Sequence, residues 1–266
     1  MFGRFREIRF AAPLSEPLDM DAFHLPSSGR WRVVVFPGSP CNRLLFTRLL
    51  RTAPQGVDMV VLSRPGFGTG HTKVYPDFNE QVAALRPFLP GGPYGDKNVI
   101  TLGVSYGGEL ALKAALDFPD QVHGVVTVAA LIDEPHDYAL KLEQIGGASA
   151  IEPFVPNRWH KVRTEIAERR GQIGPVLEAL PSLKKPVEVL HGDFDALVPR
   201  SNAQTLIEAL GPEADAALEI IPGGTHYLEM QYPRRLHRAI QRVISRAEQQ
   251  TDQNGLHEAQ SAGKTA

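Results

Sequence analysis

The chain has 266 residues, of which 42% are hydrophobic and 22% charged, a balance and length suited to one sizeable globular core. Its 28 basic and 30 acidic residues leave a formal net charge of −2, so there is no basic excess to serve as a footprint for nucleic acid or an anionic membrane. Cys41 is the single cysteine, which excludes an internal disulfide and a cysteine-rich zinc site.

The opening "MFGRFREIRFAAPL" mixes charge into its apolar residues and does not read as a signal peptide. No apolar run approaches the roughly 20 residues of a membrane span, so a cytoplasmic location is the default expectation. Along the chain, β-branched apolar runs predict strands at residues 8–11, 32–36, 58–62, 99–102, 122–129, 187–191 and 218–221. Several, such as "VVVF" and "MVVL", are apolar without alternation, which implies burial on both faces. Helical patterns fall between them, at 42–51, 77–89, 199–210 and 232–246. The second has Asp77 and Glu80 at capping-box spacing, and the third starts at a proline and stops before Gly211. Such alternation predicts a mostly parallel sheet with helices on both faces.

The rhythm breaks at residues 132–182, where helical patches are interrupted by prolines and no strand is expected. This segment reads as a helical cap insertion over the edge of a core made of residues 1–131 and 183–248. The polar remainder, 249–266, is expected to be a disordered tail.

Chemistry concentrates at "VITLGVSYGGEL". Gly103-Val104-Ser105-Tyr106-Gly107 fits G-x-S-x-G at the joint between a predicted strand and a helix, where glycines let the backbone pass close and leave Ser105 exposed. The alternative is a tight turn with an incidental serine. A serine nucleophile needs a base, and the base an orienting acid. Of nine histidines, His226 in "GGTHYLEMQYP" follows a predicted strand and a glycine turn, where an imidazole is free to reach a neighbouring strand end. His191 reads as structural, and His71 lies in a loop. The others, His24 and His237 among them, read as solvated. For the acid, Asp193 and Asp195 in "HGDFDALVP" and Asp133 after the strand at 122–129 are all candidates. Cys41 reads as a packing residue rather than a second nucleophile.

With "GVSYGG", "HGDFDALVP" and "GGTHYLEMQYP" in that order, the chain resembles the α/β-hydrolase superfamily from about residue 32 to 246, apart from the insertion. The resemblance implies an α/β-hydrolase fold and a Ser-Asp-His triad of Ser105, Asp195 and His226, with Asp195 preferred over Asp193 by the family's motif. It also implies an oxyanion hole formed by the backbone N–H groups of Ser39 and Tyr106. There "VVVFPGSPCN" departs from the family's H-G-x-P by placing Pro37 where histidine is usual, which removes a brace for that loop. "SRPGFGTG" resembles the family's D-x-P-G-x-G-x-S turn with Ser63 in place of Asp.

The expected activity is hydrolysis of a small-molecule acyl substrate of carboxylic-ester type, without metal or organic cofactor. Thioesterase, C–C bond hydrolase, lactonase, aminopeptidase and cofactor-free haloperoxidase activities share the triad, and a non-catalytic ligand receptor shares the fold. A serine at position 105 argues against dehalogenase and the usual epoxide hydrolase chemistry, which employ Asp there. Phe154, Val155 and Trp159 of the insertion are candidates for an apolar substrate pocket, or equally for the cap's own core. The sequence assigns no oligomeric state.

Overall fold

A computed structural model of the protein describes residues 5–133 and 157–262. Among these, eight strands form one sheet: β1 (Arg6–Ala12), β2 (Leu18–Leu25), β3 (Trp31–Phe36), β4 (Val57–Leu62), β5 (Asn98–Val104), β6 (Val122–Val128), β7 (Val187–Gly192) and β8 (Ala216–Ile221). Their spatial order is β1-β2-β4-β3-β5-β6-β7-β8. From β4 to β8 every pairing is parallel, while β1 and β2 form an antiparallel edge that β2 joins to β4. The fold is the α/β-hydrolase fold, with the mostly parallel sheet expected from the strand-helix alternation.

All six residues of β3 and of β4 are buried, the runs "VVVF" and "MVVL" as their lack of alternation implies, and Arg32 and Asp58 because they pair with each other at 2.8 Å. Successive side chains then feed two different cores. Val34, Phe36, Val60 and Leu62 pack with α2 (Phe78–Ala83) and α3 (Tyr106–Asp117). Val33, Val35, Met59 and Val61 pack on the other face with α1 (Thr47–Arg51) and with Leu236, Ile240 and Val243 of the last helix. The remaining helices are α4 (Asn157–Ala179), α5 (Ser201–Leu210), α6 (Leu228–Gln231) and α7 (Pro233–Ala262).

Three local readings differ from expectation. β2 was not among the expected strands, because "LDMDAFHL" carries Asp19, Asp21 and His24; the polar groups are tolerated since two of them find partners. His24 Nε2 lies 3.1 Å from Asp58, and Asp21 accepts a hydrogen bond from the Ser63 hydroxyl. The helix expected at 77–89 ends early, at Ala83, and a separate 3₁₀ turn follows at Arg86–Phe88, where Pro87 has no N–H to continue the ladder. α7 runs on through 249–262, the segment expected as a tail. Its Glu, Gln and Ala residues are good helix formers that extend an already packed helix, so no new nucleation is needed.

Two histidines expected to be solvated are buried instead. His24 is held by Asp58, and His237 Nε2 lies 3.1 Å from the Thr52 hydroxyl, where burial pushes its pKa down to about 4. Phe154 and Val155 lie outside the described residues. Within residues 132–182, Asn157–Ala179 form α4 and Leu180–Ser182 a 3₁₀ turn. Among the described residues no helix is long and apolar enough to cross a membrane.

Candidate active site

The C-terminal ends of the parallel strands bring the sequence candidates together. β5 ends at Val104, and Ser105 follows as the N-cap of α3 with φ 55° and ψ −125°. A non-glycine residue held there costs on the order of 1–3 kcal/mol, which the surrounding packing must sustain. Gly103 and Gly107 make the turn possible by close approach. A Cβ on Gly103 would lie 2.1 Å from the Gly107 carbonyl oxygen, and one on Gly107 2.0 Å from that of Phe36. The turn therefore demands glycine on both sides of Ser105, two residues away.

Beyond β7, Asp195 turns its carboxylate inward. Its Oδ1 accepts from the N–H groups of Leu197 and Val198, each at 2.8 Å. Its Oδ2 lies 2.8 Å from Nδ1 of His226, in the loop that follows β8. Burial alone would raise the Asp195 pKa, but the hydrogen bonds from His226 and the two backbone amides outweigh it and hold the carboxyl below its usual range. Asp195 is thereby kept ionised at neutral pH. With Nδ1 engaged, Nε2 of His226 is the ring nitrogen left for chemistry. Asp193, two residues earlier, accepts from the Gly223 N–H at 2.7 Å in an exposed turn and does not meet His226. His191 is fully buried, its Nε2 2.9 Å from the Val198 carbonyl, and His71 Nε2 lies 2.8 Å from the Asp19 carbonyl; both serve loops.

Ser105 and His226 line one cavity of about 500 Å³ together with Ser39, Trp159, Tyr227 and Glu229. Ser39 lies just after β3, on the loop that touches the serine turn; a Cβ on Gly38 would come within 2.9 Å of Ser105 Cβ. Tyr106 turns its ring into the core, against Phe78 and beneath Arg64, so only its backbone is placed to serve the turn. Trp159 of α4 is 47% exposed on the cavity side of the structure, a lining rather than a core position.

The brace that Pro37 cannot supply comes from the "SRPGFGTG" turn and from α4. Arg64, fully buried, donates Nε to the Pro37 carbonyl at 2.8 Å and Nη2 to the Ser39 hydroxyl at 2.7 Å. Its Nη1 reaches Glu165 of α4 at 2.5 Å, and Glu165 also accepts from the Ser39 hydroxyl. Burial would lower the Arg64 pKa, but the charge and hydrogen bonds of Glu165 more than offset it and keep the guanidinium protonated. One turn on either side of Glu165, Lys161 donates to the carbonyls of Gly66 and His71, each at 2.6 Å, and Arg169 pairs with Glu109 of α3. Residues at i, i+4 and i+8 thus form one polar stripe on α4, buried against the core. Charge at helical spacing was the available signal, but it reads equally as a solvated face. The departure at Ser63 is met similarly: Asp21 of β2 supplies a carboxylate to that loop and accepts from the Thr69 N–H at 3.0 Å. Cys41 is buried beside Leu62 and Arg64, in a packing position.

Among the described residues no group of His, Cys, Asp and Glu is arranged to hold a metal ion. A family model described as alpha/beta hydrolase fold matches residues 32–150, the part that contains Ser39, Ser105 and Tyr106. The biotin biosynthesis bifunctional protein BioHC of Cellvibrio japonicus (strain Ueda107) is 24% identical over 267 residues, covering 88% of this chain and 51% of that protein. The chain therefore spans about half the length of this curated relative. Among solved structures, the esterase EaEST from Exiguobacterium antarcticum aligns with a TM-score of 0.70 at 15% identity, over 91% of this chain and 100% of that one. A loop variant of the haloalkane dehalogenase DbeA from Bradyrhizobium elkanii aligns with a TM-score of 0.70 at 16% identity, over 94% and 100%. At these identities the structural likeness is one of fold.

The Arg64–Glu165 pair yields a stability test. Glu165→Leu leaves a guanidinium buried without its counter-charge and is expected to destabilise the protein by about 3–5 kcal/mol in urea unfolding. Adding Arg64→Met should recover much of that loss, because the uncompensated charge is gone. Equal losses in the single and double variants would show that the pair does not hold α4.

Proposed function

We propose that this chain, whose residues 32–150 match the family model described as alpha/beta hydrolase fold, is a serine hydrolase that cleaves carboxylic-ester-type acyl compounds through an acyl-enzyme on Ser105. The observation that carries this reading is the 2.8 Å contact between Asp195 Oδ2 and His226 Nδ1, at the edge of a cavity that Ser105 shares. Ser105 attacks the carbonyl carbon while His226 Nε2 takes the hydroxyl proton. The negative oxygen of the tetrahedral intermediate is received by the backbone N–H groups of Ser39 and Tyr106, each typically worth about 3–4 kcal/mol in such a role. His226 then protonates the leaving group, and Asp195 stabilises the imidazolium. In the second half, His226 draws a proton from water, which attacks the acyl carbon and frees Ser105.

The strained turn supports the nucleophile assignment, since residues held in costly backbone conformations cluster at active sites. Arg64 and Glu165 act as positioning residues by holding the Ser39 loop. A serine rather than an aspartate at position 105 separates this chain from dehalogenase chemistry, despite the dehalogenase among its structural neighbours. The described part of the cap contributes Trp159 to the cavity, in keeping with a role for residues 132–182 in choosing the acyl or alcohol group.

Replacing Ser105 with Ala is expected to leave a folded protein whose turnover of p-nitrophenyl esters falls by ~10⁴-fold or more and which no longer labels with a fluorophosphonate. Retention of a tenth of the activity would refute the nucleophile. Asp195→Asn should lower kcat by ~10⁴-fold by disturbing the imidazole tautomer, whereas Asp193→Asn, which alters only the exposed turn, should cost little; a reversed order would reassign the acid. Trp159→Ala should change relative kcat/KM between short and medium acyl chains by roughly tenfold, since a pocket discriminates by about 1–3 kcal/mol per methylene. A uniform fall across all chain lengths would instead make Trp159 structural.

A further inference from the structure

Six large apolar side chains are exposed among the described residues, and four of them gather at the cavity. Trp159, Tyr227 and Met230 line it, and Leu44, 65% exposed, adjoins its lining residue Leu45. Single apolar groups on a surface are ordinary, but a cluster of them beside polar groups marks a contact face.

The groups beside this cluster are cationic. Segment 38–57 carries Arg43, Arg48 and Arg51 and no acid, and segment 222–247 carries five arginines and one acid, the buried Glu229. Two contacts set these segments side by side. Arg48 of α1 donates Nη1 to the Met230 carbonyl at 2.8 Å, and His237 of α7 meets Thr52, the residue after Arg51. Arg43 is taken up by Glu7 and Asp21. On α7 the arginines divide by direction. Arg235, Arg242 and Arg246 pair with Glu219, Glu188 and Asp215, on or beside β7 and β8. Arg234 and Arg238, one turn apart, face solvent instead. Among the described residues neither they nor the exposed Arg48 and Arg51 form an ion pair. The net charge of −2 conceals this face, because the acids that balance its arginines lie elsewhere on the molecule.

We propose that this face docks the protein on an anionic lipid surface, with Leu44, Tyr227 and Met230 entering the headgroup boundary while Arg48, Arg51, Arg234 and Arg238 pair with lipid phosphates. A lipid layer holds an apolar interior behind an anionic boundary, which matches an apolar opening flanked by cations. Aromatic rings are favoured at that boundary, and a guanidinium meets phosphate through two parallel hydrogen bonds. An acidic protein would satisfy the arginines but set polar surface against the apolar opening. The described lining of the cavity holds no lysine or arginine that would carry charge recognition inward. Docking goes beyond the proposed reaction. One consequence does rest on the serine-hydrolase reading: the cavity opens toward the layer, so an acyl ester dissolved there reaches Ser105 without crossing water.

Co-sedimentation of the full chain with vesicles tests the docking. Vesicles of phosphatidylglycerol and phosphatidylcholine in equal parts should be bound at least tenfold more tightly than vesicles of phosphatidylcholine alone. Salt at about 1 M, which shortens the Debye length to about 3 Å, should remove that preference. Arg48→Glu combined with Arg234→Glu should abolish it. Lys184→Glu combined with Lys185→Glu, the same change of charge just before β7 at the opposite end of the sheet, should keep it. Leu44→Asp should weaken binding to the anionic vesicles roughly tenfold, since an apolar side chain then no longer enters the layer. Ser105→Ala should bind as the wild type does, so vesicle binding and ester hydrolysis stand or fall separately. No preference for anionic vesicles, or a preference that the paired arginine variant retains, overturns the proposal. An equal loss in the lysine variant also overturns it, by making the attraction general. Binding to soluble poly-glutamate as tight as to vesicles, with Leu44→Asp without effect on either, would assign the face to an acidic protein and overturn it too. Should the arginine reversal fail to fold, Arg48→Gln combined with Arg234→Gln carries the same comparison.

Discussion

The buried polar stripe of α4 is the interaction on which the rest of the site depends. Lys161, Glu165 and Arg169 each leave solvent, and each is met by a different part of the core: the carbonyls of Gly66 and His71, the Arg64 guanidinium, and Glu109 of α3. Apolar contacts alone would let such a helix slide or rotate at little cost. Three directional contacts, spaced one turn apart, fix its register, since an unmet buried charge is far more costly than a lost methylene contact. The same stripe reaches the Ser39 loop through Glu165 and Arg64, so the position of α4 and the geometry of the loop beside Ser105 are set together.

Around that clamp the sheet acts as a rigid base. Strands buried on both faces allow no slippage of register, because a one-residue shift would exchange the two cores. Their C-terminal ends therefore deliver the Ser39 loop, Ser105 and Asp195 to one edge, with His226 brought in by the loop after β8. Ser105 is held at positive φ, as is Ala129 after β6, and Gly103 and Gly107 let strand and helix approach to near contact around it.

Departures from the familiar motifs are compensated from distant positions. Pro37 cannot brace its own loop through a side chain, and Arg64 takes over by donating to the Pro37 carbonyl. Ser63 has no carboxylate, and Asp21 of β2 provides one to both Ser63 and Thr69. In each case the compensating residue comes from another element, so a motif compared position by position shows only the loss.

The sequence by itself determined what depends on local chemistry and periodicity. Unbroken apolar runs such as "VVVF" marked the doubly buried strands. Glycines two residues either side of Ser105 marked a turn that no larger residue can make, and His226 stood out by its place after a strand, while Asp195 was separated from Asp193 and Asp133 only by the resemblance to the family's motif. Only the tertiary structure decided which polar groups are buried and whom they meet. β2 hid behind its acidic residues, and the stripe of α4 looked like a solvated face. His24 and His237 looked exposed. The physical reason is common to all of them. Hydrophobic periodicity records which side chains avoid water, whereas the burial of a charge depends on a partner brought from far along the chain, and that distance is set only once the chain has folded.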